Sequence, residues 1–351
     1  MHKQYAARMA TAPTTPLPLK TRLAAWRYAF LTTNPPEQGV VDGVTRALVV
    51  TRAGVLPMTL TSGLIAVLLA AIAPVPVDWL NVTLAVVGIV IAHLANNLMN
   101  DLADTQVGAD TADYPRALYS PHPILAGLIT KRQLIGGILL CQVLDFAIMV
   151  TLIWRQDWWI AAFALGGLFL SWAYTAPPLR LKKIGLGELD VLLTWGPLMV
   201  GGVYYAGTGT LPWQVVAAAT VYALLPTTVL MGKHIDKLPY DGPAGTRTLP
   251  ALLGEGRAKA VTQAMMIAYY VGVVALVALR ALPWPALLTL LAVPLLVKTM
   301  QAYLQPKPAE PPAENPVWPL WWAPLAFLHT RRAGGLLITG LLAWAIWRAV
   351  R

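Results

Sequence analysis

Asn97, Asn100, Asp101 and Asp104 recur at i, i+3, i+4 and i+7, at the end of a long apolar run from about Val77 to Leu94. Continued as a helix, that run puts the four side chains on one face. Crowded carboxylates repel unless a cation lies among them. Hard oxygen donors with no nearby His or Cys pair suit Mg²⁺ bridged to phosphate rather than zinc. The same spacing also fits a capping cluster or the solvated polar end of a membrane helix, and the pattern alone leaves these open.

Two further clusters carry charge that asks for a purpose. Tyr174-Thr175-Ala176-Pro177-Pro178 forces an extended turn, and Arg180, Lys182 and Lys183 follow within four positions. Snorkelling at a membrane boundary accounts for the basic residues but not for Glu188 and Asp190, which enter the next apolar stretch. Burying those acids costs free energy unless they are paired, and the basic trio supplies the expected partners. The third cluster holds Asp236 and Asp241, five residues apart and so about 140° apart on a straight helix. Pro239 is expected to break the helix between them and free both for one ion, although a solvated loop accounts for the pair as well. Arg52, at the entrance to the first apolar stretch, either anchors at the headgroups or meets an anion.

The elements that must position these residues are membrane helices. Of the 351 residues, 57% are hydrophobic and 12% charged, and the mean hydropathy is +0.59, outside the range of soluble domains. Apolar segments at roughly 54–74, 77–100, 134–154, 158–174, 186–206, 211–232, 260–282, 283–304 and 333–349 are each about long enough to cross ~30 Å of hydrocarbon. Lipid cannot satisfy backbone polar groups, so the fold class is all-α, a polytopic bundle of about nine spans. Residues 317–329, Trp-rich and proline-broken, read as an interfacial or re-entrant piece, and Gln305–Pro316 as an extended spacer.

Residues 1–50 read as a cytoplasmic tail ahead of a membrane domain over 51–351, without the isolated apolar core of a secretory signal peptide. Within the tail, Leu19–Thr32 mixes Lys20, Arg22 and Arg27 with Trp26, Tyr28 and Phe30, which fits either a membrane-surface segment or a disordered basic tail. The single Cys141 excludes an intrachain disulfide. With nine spans, the connections on the N-terminal side hold 18 of the 26 Lys and Arg, which places them in the cytoplasm of a cell (inner) membrane protein. The net charge of +10 follows from this topology and calls for no nucleic acid. All three clusters therefore reach one membrane face. Acids with bases on one face are what a magnesium-bound diphosphate requires.

These residues resemble the UbiA superfamily of intramembrane prenyltransferases. Asn100-Asp101-x-x-Asp104 is similar to the start of the family's first motif, NDxxDxxxD, with Gly108 at the third acidic position and Asp110 two residues later. That variant resembles the 1,4-dihydroxy-2-naphthoate prenyltransferase branch of menaquinone synthesis, as do Tyr174–Pro178, Gly185-Leu186-Gly187-Glu188 and Gly196-Pro197-Leu198-Met199-Val200. Asp241-x-x-Ala244-Gly245-x-x-Thr248-Leu249-x-x-x-Leu253-Gly254 resembles the second motif and its continuation. Two departures stand out: the second motif spaces its aspartates by four, whereas Lys237 holds that position here, and Lys233-His234 replaces the Asn/Arg-rich residues upstream.

The resemblance implies a bundle around a central cavity, capped by cytoplasmic loops and open laterally to lipid. It implies transfer of a polyprenyl group from its diphosphate to an aromatic acceptor, with Mg²⁺ as cofactor. Asn100, Asp104, Asp236 and Asp241 would carry the metal, with Asp101 and Asp110 in support and Asn97 on the same face. Arg52, Arg180, Lys182, Lys183 and Arg247 would hold the diphosphate, and Tyr174 would bond it or shield the allylic cation. Other acceptors within the family are 4-hydroxybenzoate, homogentisate, a chlorin or haem. A transporter would place its ionisable groups near mid-membrane, and a non-catalytic lipid-binding relative would keep the cavity without turnover.

Overall fold

The computed structural model describes residues 18–36, 41–106, 120–241, 245–312, 315 and 317–351, and every regular element among them is helical. The α-helices are α1 (Leu19–Thr32), α2 (Gly43–Val50), α3 (Leu56–Ala71), α4 (Trp79–Gln106), α5 (Lys131–Arg155), α6 (Trp159–Thr175), α7 (Gly187–Leu193), α8 (Met199–Thr208), α9 (Trp213–Asp241), α10 (Leu249–Leu253), α11 (Glu255–Ala278), α12 (Val293–Leu304) and α13 (Trp322–Val350). Seven helices among the described residues are long and apolar enough to cross a membrane. Their outer faces carry apolar side chains that water would not tolerate in bulk: on α5, Leu139, Leu140, Val143 and Phe146 are each at least 60% exposed.

Two of the nine expected spans take other forms. The stretch expected at 158–174 is the shorter apolar helix α6. That at 186–206 is α7 and α8 joined by a π-helical turn over Thr194–Leu198, where Pro197 has no N–H to give the ladder. Gly196 sits in that turn because a Cβ there would come within 2.8 Å of the Ala219 carbonyl and the Ala223 methyl of α9.

The chain divides into two compact units. The first draws on described residues of Met1–Leu56, Ile91–Leu144 and Ala309–Pro319. Its core gathers Ala29, Val49, Leu98, Ala126 and Leu134. Asp42 starts α2 by accepting from the Thr45 N–H at 2.8 Å, and the Trp26 indole and Arg22 guanidinium of α1 close on the same carboxylate at 2.9 and 3.2 Å. Burial works against the charge of Asp42, but these donors outweigh it and hold its carboxyl down at about 2.

The second unit draws on Pro57–Val90, Asp145–Pro308 and Leu320–Arg351. Its core runs along α9 and α11, with Tyr222, Leu225, Met266, Tyr269 and Val273 fully or almost fully buried. Polar atoms in that core are satisfied across helices: the Tyr222 hydroxyl donates to the Met58 carbonyl at 3.0 Å, and Tyr269 and Thr289 bond at 2.8 Å. At the N-terminal end of α4, Arg155 binds Asp78 at 2.7 Å and Asn81 at 2.6 Å.

Two expectations are corrected. Pro239 does not break the helix between Asp236 and Asp241; α9 runs unbroken through both Pro226 and Pro239 to Asp241. Prolines persist in such helices because neighbouring groups take up the freed carbonyls. Residues 317–329 do not form a separate interfacial piece either, since the chain turns at 317–319 and is helical from Trp322 onward as the first turns of the 29-residue α13.

Candidate active site

In the first unit, α4 continues as a helix through the first acidic motif to Gln106, which sets Asn100 and Asp101 one turn after Asn97. All three are buried. The Asn97 amide nitrogen donates to the Thr51 carbonyl at 2.9 Å, which leaves its side-chain oxygen as the acceptor turned elsewhere. Arg52, in a left-handed backbone conformation just before a 3₁₀ turn, makes an ion pair with Asp101, whose side chain is fully buried. The sequence placed Arg52 on the diphosphate; in the structure its guanidinium neutralises Asp101. The backbone of Asp104 lies in α4, while its side chain and the whole of Asp110 fall outside the described residues.

A buried histidine props this motif. His122 is fully buried, and its Nδ1 faces the N–H groups of Ile124 and Leu125 at 3.3 and 3.4 Å. The Thr105 hydroxyl spends its proton on the Asp101 carbonyl at 2.7 Å, so toward His122 Nε2, 3.2 Å away, it can only accept. Both contacts therefore require the neutral tautomer with the proton on Nε2.

In the second unit the basic cluster and the second motif meet. Leu181–Lys183 form a 3₁₀ turn after Arg180, which adopts a left-handed backbone. The N–H of Arg247 donates to the carbonyl of Lys183 at 3.1 Å, and the N–H of Thr246 to the carbonyl of Asp241 at 2.9 Å. Arg180, Lys182 and Lys183 are half-buried and Arg247 is exposed, so the joined loops present four cations. Gly187 lies under this turn, where a Cβ would come within 3.3 Å of the Tyr174 ring and 3.2 Å of the Lys182 backbone. Tyr174 thus packs on the same glycine as the Lys182 backbone.

Glu188, Asp236 and Asp241 have definite partners, whereas Asp190 is buried with its Oδ1 unbonded among the described residues and makes no ion pair with the basic trio expected from the sequence. Glu188 turns to α9, where its Oε1 lies 2.7 Å from His234 Nδ1 in a buried pair, rather than to the basic trio expected from the sequence. Asp236 accepts from the N–H groups of Trp321 and Ala323 at 2.8 and 3.0 Å, and Lys307 stands 3.6 Å away. Those N–H groups belong to the first turn of α13, which has no helical partner for them, so Asp236 caps α13 from another helix. Gly232 makes that approach possible: a Cβ there would come within 2.8 Å of the backbone at Trp322 and Ala323. One turn on, Asp241 is fully buried at its side chain and pairs with Lys237 at 3.5 Å. Among the described residues no three His, Cys, Asp or Glu side chains converge to hold a metal ion.

Sequence reasoning missed three participants: His122 and Thr105, which support Asp101, and Lys307, which meets Asp236. Lys307 sits in the proline-rich spacer and carries no local signal. Asp145, midway along α5, is a further acid within an apolar span that the sequence reading passed over.

Residues 59–316 match the UbiA prenyltransferase family. The chain belongs to that family. It is thus a multi-pass membrane protein of the UbiA prenyltransferases. It is 30% identical over 273 residues to a 1,4-dihydroxy-2-naphthoate octaprenyltransferase of Escherichia coli, a match covering 76% of this chain and 83% of that one. It is 26% identical over 207 residues to a 2-carboxy-1,4-naphthoquinone phytyltransferase of Synechocystis, a match spanning 58% of this chain and 65% of that relative's length. In three dimensions it shares the UbiA fold. A UbiA homologue from Aeropyrum pernix superposes with a TM-score of 0.61 at 18% identity, over 82% of this chain and 96% of that one. One from Archaeoglobus fulgidus, bound to GPP and Mg²⁺, superposes with a TM-score of 0.53 at 14% identity, over 83% and 99%.

Proposed function

We propose that this UbiA-family protein transfers a polyprenyl group from its diphosphate to 1,4-dihydroxy-2-naphthoate, a step of menaquinone synthesis. The observation that carries the reading is the bond from the Arg247 N–H to the Lys183 carbonyl. It unites Arg180, Lys182, Lys183 and Arg247 as a cationic cradle for a diphosphate, beside Tyr174. The naphthoate enzymes among the relatives support the acceptor. By charge distribution the cradle and the N-terminus face the cytoplasm of the cell membrane.

The first motif suits a divalent ion by its donor set. Asn97 has its nitrogen committed and its oxygen left over, Asn100 is buried one turn away, and Asp104 follows at the next turn, with Asp110 beyond. When bound, Mg²⁺ would supply Lewis-acid stabilisation of developing negative charge. Asp101 serves the motif by fixing Arg52 rather than as a ligand. The second motif does not suit a metal, because Asp236 is spent on the start of α13 and Asp241 faces Lys237.

As the allylic C–O bond breaks, its electron pair leaves with the diphosphate, and Arg180, Lys182, Lys183 and Arg247 bind the charge that develops. Tyr174 lines the cation left behind, and the apolar spans keep water from quenching it. The ring carbon bearing the acceptor's carboxylate attacks. Loss of that carboxylate as CO₂ returns an electron pair to the ring.

The test is a panel of acceptors offered with polyprenyl diphosphates in proteoliposomes. Product from the naphthoate above that from 4-hydroxybenzoate, homogentisate or a chlorin is expected. Product from one of those alone would overturn the acceptor while leaving the prenyl transfer.

A further inference from the structure

The last turns of α9 carry Lys233, His234, Asp236, Lys237 and Asp241, and each acid there meets a built-in donor. On an unbroken helix Asp236 and Asp241 point about 140° apart and cannot share an ion. Asp236 is closed off: its side chain is fully buried, both oxygens accept from the first turn of α13, and Lys307 adds a positive charge. Lys237 and Asp241, by contrast, are one turn apart on one face. This is the spacing at which two acids would hold a divalent ion, and a lysine occupies the first position. An ammonium 3.5 Å from Oδ1 opposes any metal at Asp241 by charge repulsion and by competing for that oxygen. From Lys233 to Asp241 the two lysines offset the two aspartates, whereas affinity for Mg²⁺ or Ca²⁺ rises with uncompensated carboxylates. Lys237 keeps 14% of its side chain exposed, while that of Asp241 is fully buried.

We infer that the second acidic motif takes up no divalent ion, and that Lys237, oriented by Asp241, is the resident cation that binds the substrate's diphosphate there. The diphosphate rests on the prenyltransferase reading above; the metal count does not. At this motif the lysine then does the electrostatic work of a metal ion.

The full-length protein in detergent is titrated with Mn²⁺ in the presence of inorganic pyrophosphate, and the bound ion is counted by electron paramagnetic resonance. Wild type and Lys237→Arg should bind no more than one Mn²⁺ per chain, and Lys237→Asp should bind one more. Pyrophosphate binding without metal should weaken about tenfold in Lys237→Gln and recover in Lys237→Arg. Thermal melting confirms that each variant is folded. Two Mn²⁺ in wild type, no gain in Lys237→Asp, or unchanged pyrophosphate affinity in folded Lys237→Gln would overturn the inference. Two Mn²⁺ in a chain active on the naphthoate would sink this inference alone. A single Mn²⁺ and a gain in Lys237→Asp, with no prenyl transfer to any acceptor, would sink the proposed function and leave the metal count standing.

Discussion

Arg247 and Lys183, 64 positions apart in the chain, are joined through their backbones at 3.1 Å, N–H to carbonyl. The bond does not depend on either side chain, so both remain available for an anion. Replacing Lys182 and Lys183 together by alanine should therefore leave the fold intact. It should raise KM for the polyprenyl diphosphate about ten- to a hundredfold, with a smaller change in KM for the acceptor. Steady-state kinetics with each substrate varied in turn decides this; equal changes in both constants would count against the cradle.

Asp236 is predicted to hold the start of α13 and not a metal. Asp236→Ala should lower stability by about 1–3 kcal/mol, since it strands buried N–H groups. The Mg²⁺ concentration for half-maximal activity should not change. Chemical denaturation in detergent and a Mg²⁺ titration of activity measure the two. A rise in the Mg²⁺ requirement without loss of stability would reverse the assignment.

How much of this was legible in the sequence follows from which forces act locally. The long apolar stretches mark helices because hydrocarbon leaves the backbone no other solution, and the run through Asn97 to Asp104 does continue as a helix. The start of α13 was not legible. Trp322 begins a helix because its first turn is capped by Asp236, 85 positions before Trp321, and Trp-rich, proline-broken sequence gives no hint of that donor set. Pro239 misled because a proline's local cost was weighed without the neighbours that offset it. Among the site residues, the basic trio and Tyr174 are close in sequence, and Gly187 packs against the Tyr174 ring and the Lys182 backbone. The partners of Glu188, Asp236 and Asp101 come from distant segments, which spacing alone could not name.

The pair of Glu188 and His234 should be worth more together than apart. Glu188→Ala leaves a buried imidazole without its acceptor and should cost about 1–3 kcal/mol. A double-mutant cycle with His234→Ala should return a coupling above about 0.5 kcal/mol. Additive losses in denaturant titrations would show that the two do not interact.

Acid should loosen α1 from α2 before it reaches the rest of the first unit. The carboxyl of Asp42 titrates at about 2 in the native protein against 3.8 for the ordinary group. The native state therefore binds fewer protons, and the stabilisation is complete above about pH 4 and lost as pH falls toward about 2. Hydrogen exchange over Leu19–Thr32 and Gly43–Val50, corrected for intrinsic rate, should show protection falling through that window, and Asp42→Asn should remove the pH dependence. Protection independent of pH in wild type would contradict the assignment.

The most direct measurement is prenyl transfer to 1,4-dihydroxy-2-naphthoate in proteoliposomes, with and without Mg²⁺, for wild type and Asp104→Ala. The account predicts metal-dependent product from wild type and a loss of roughly a hundredfold or more in the variant, ~2.7 kcal/mol of barrier. Full activity in Asp104→Ala, or no prenylated product from a folded wild-type protein with any aromatic acceptor, would contradict it.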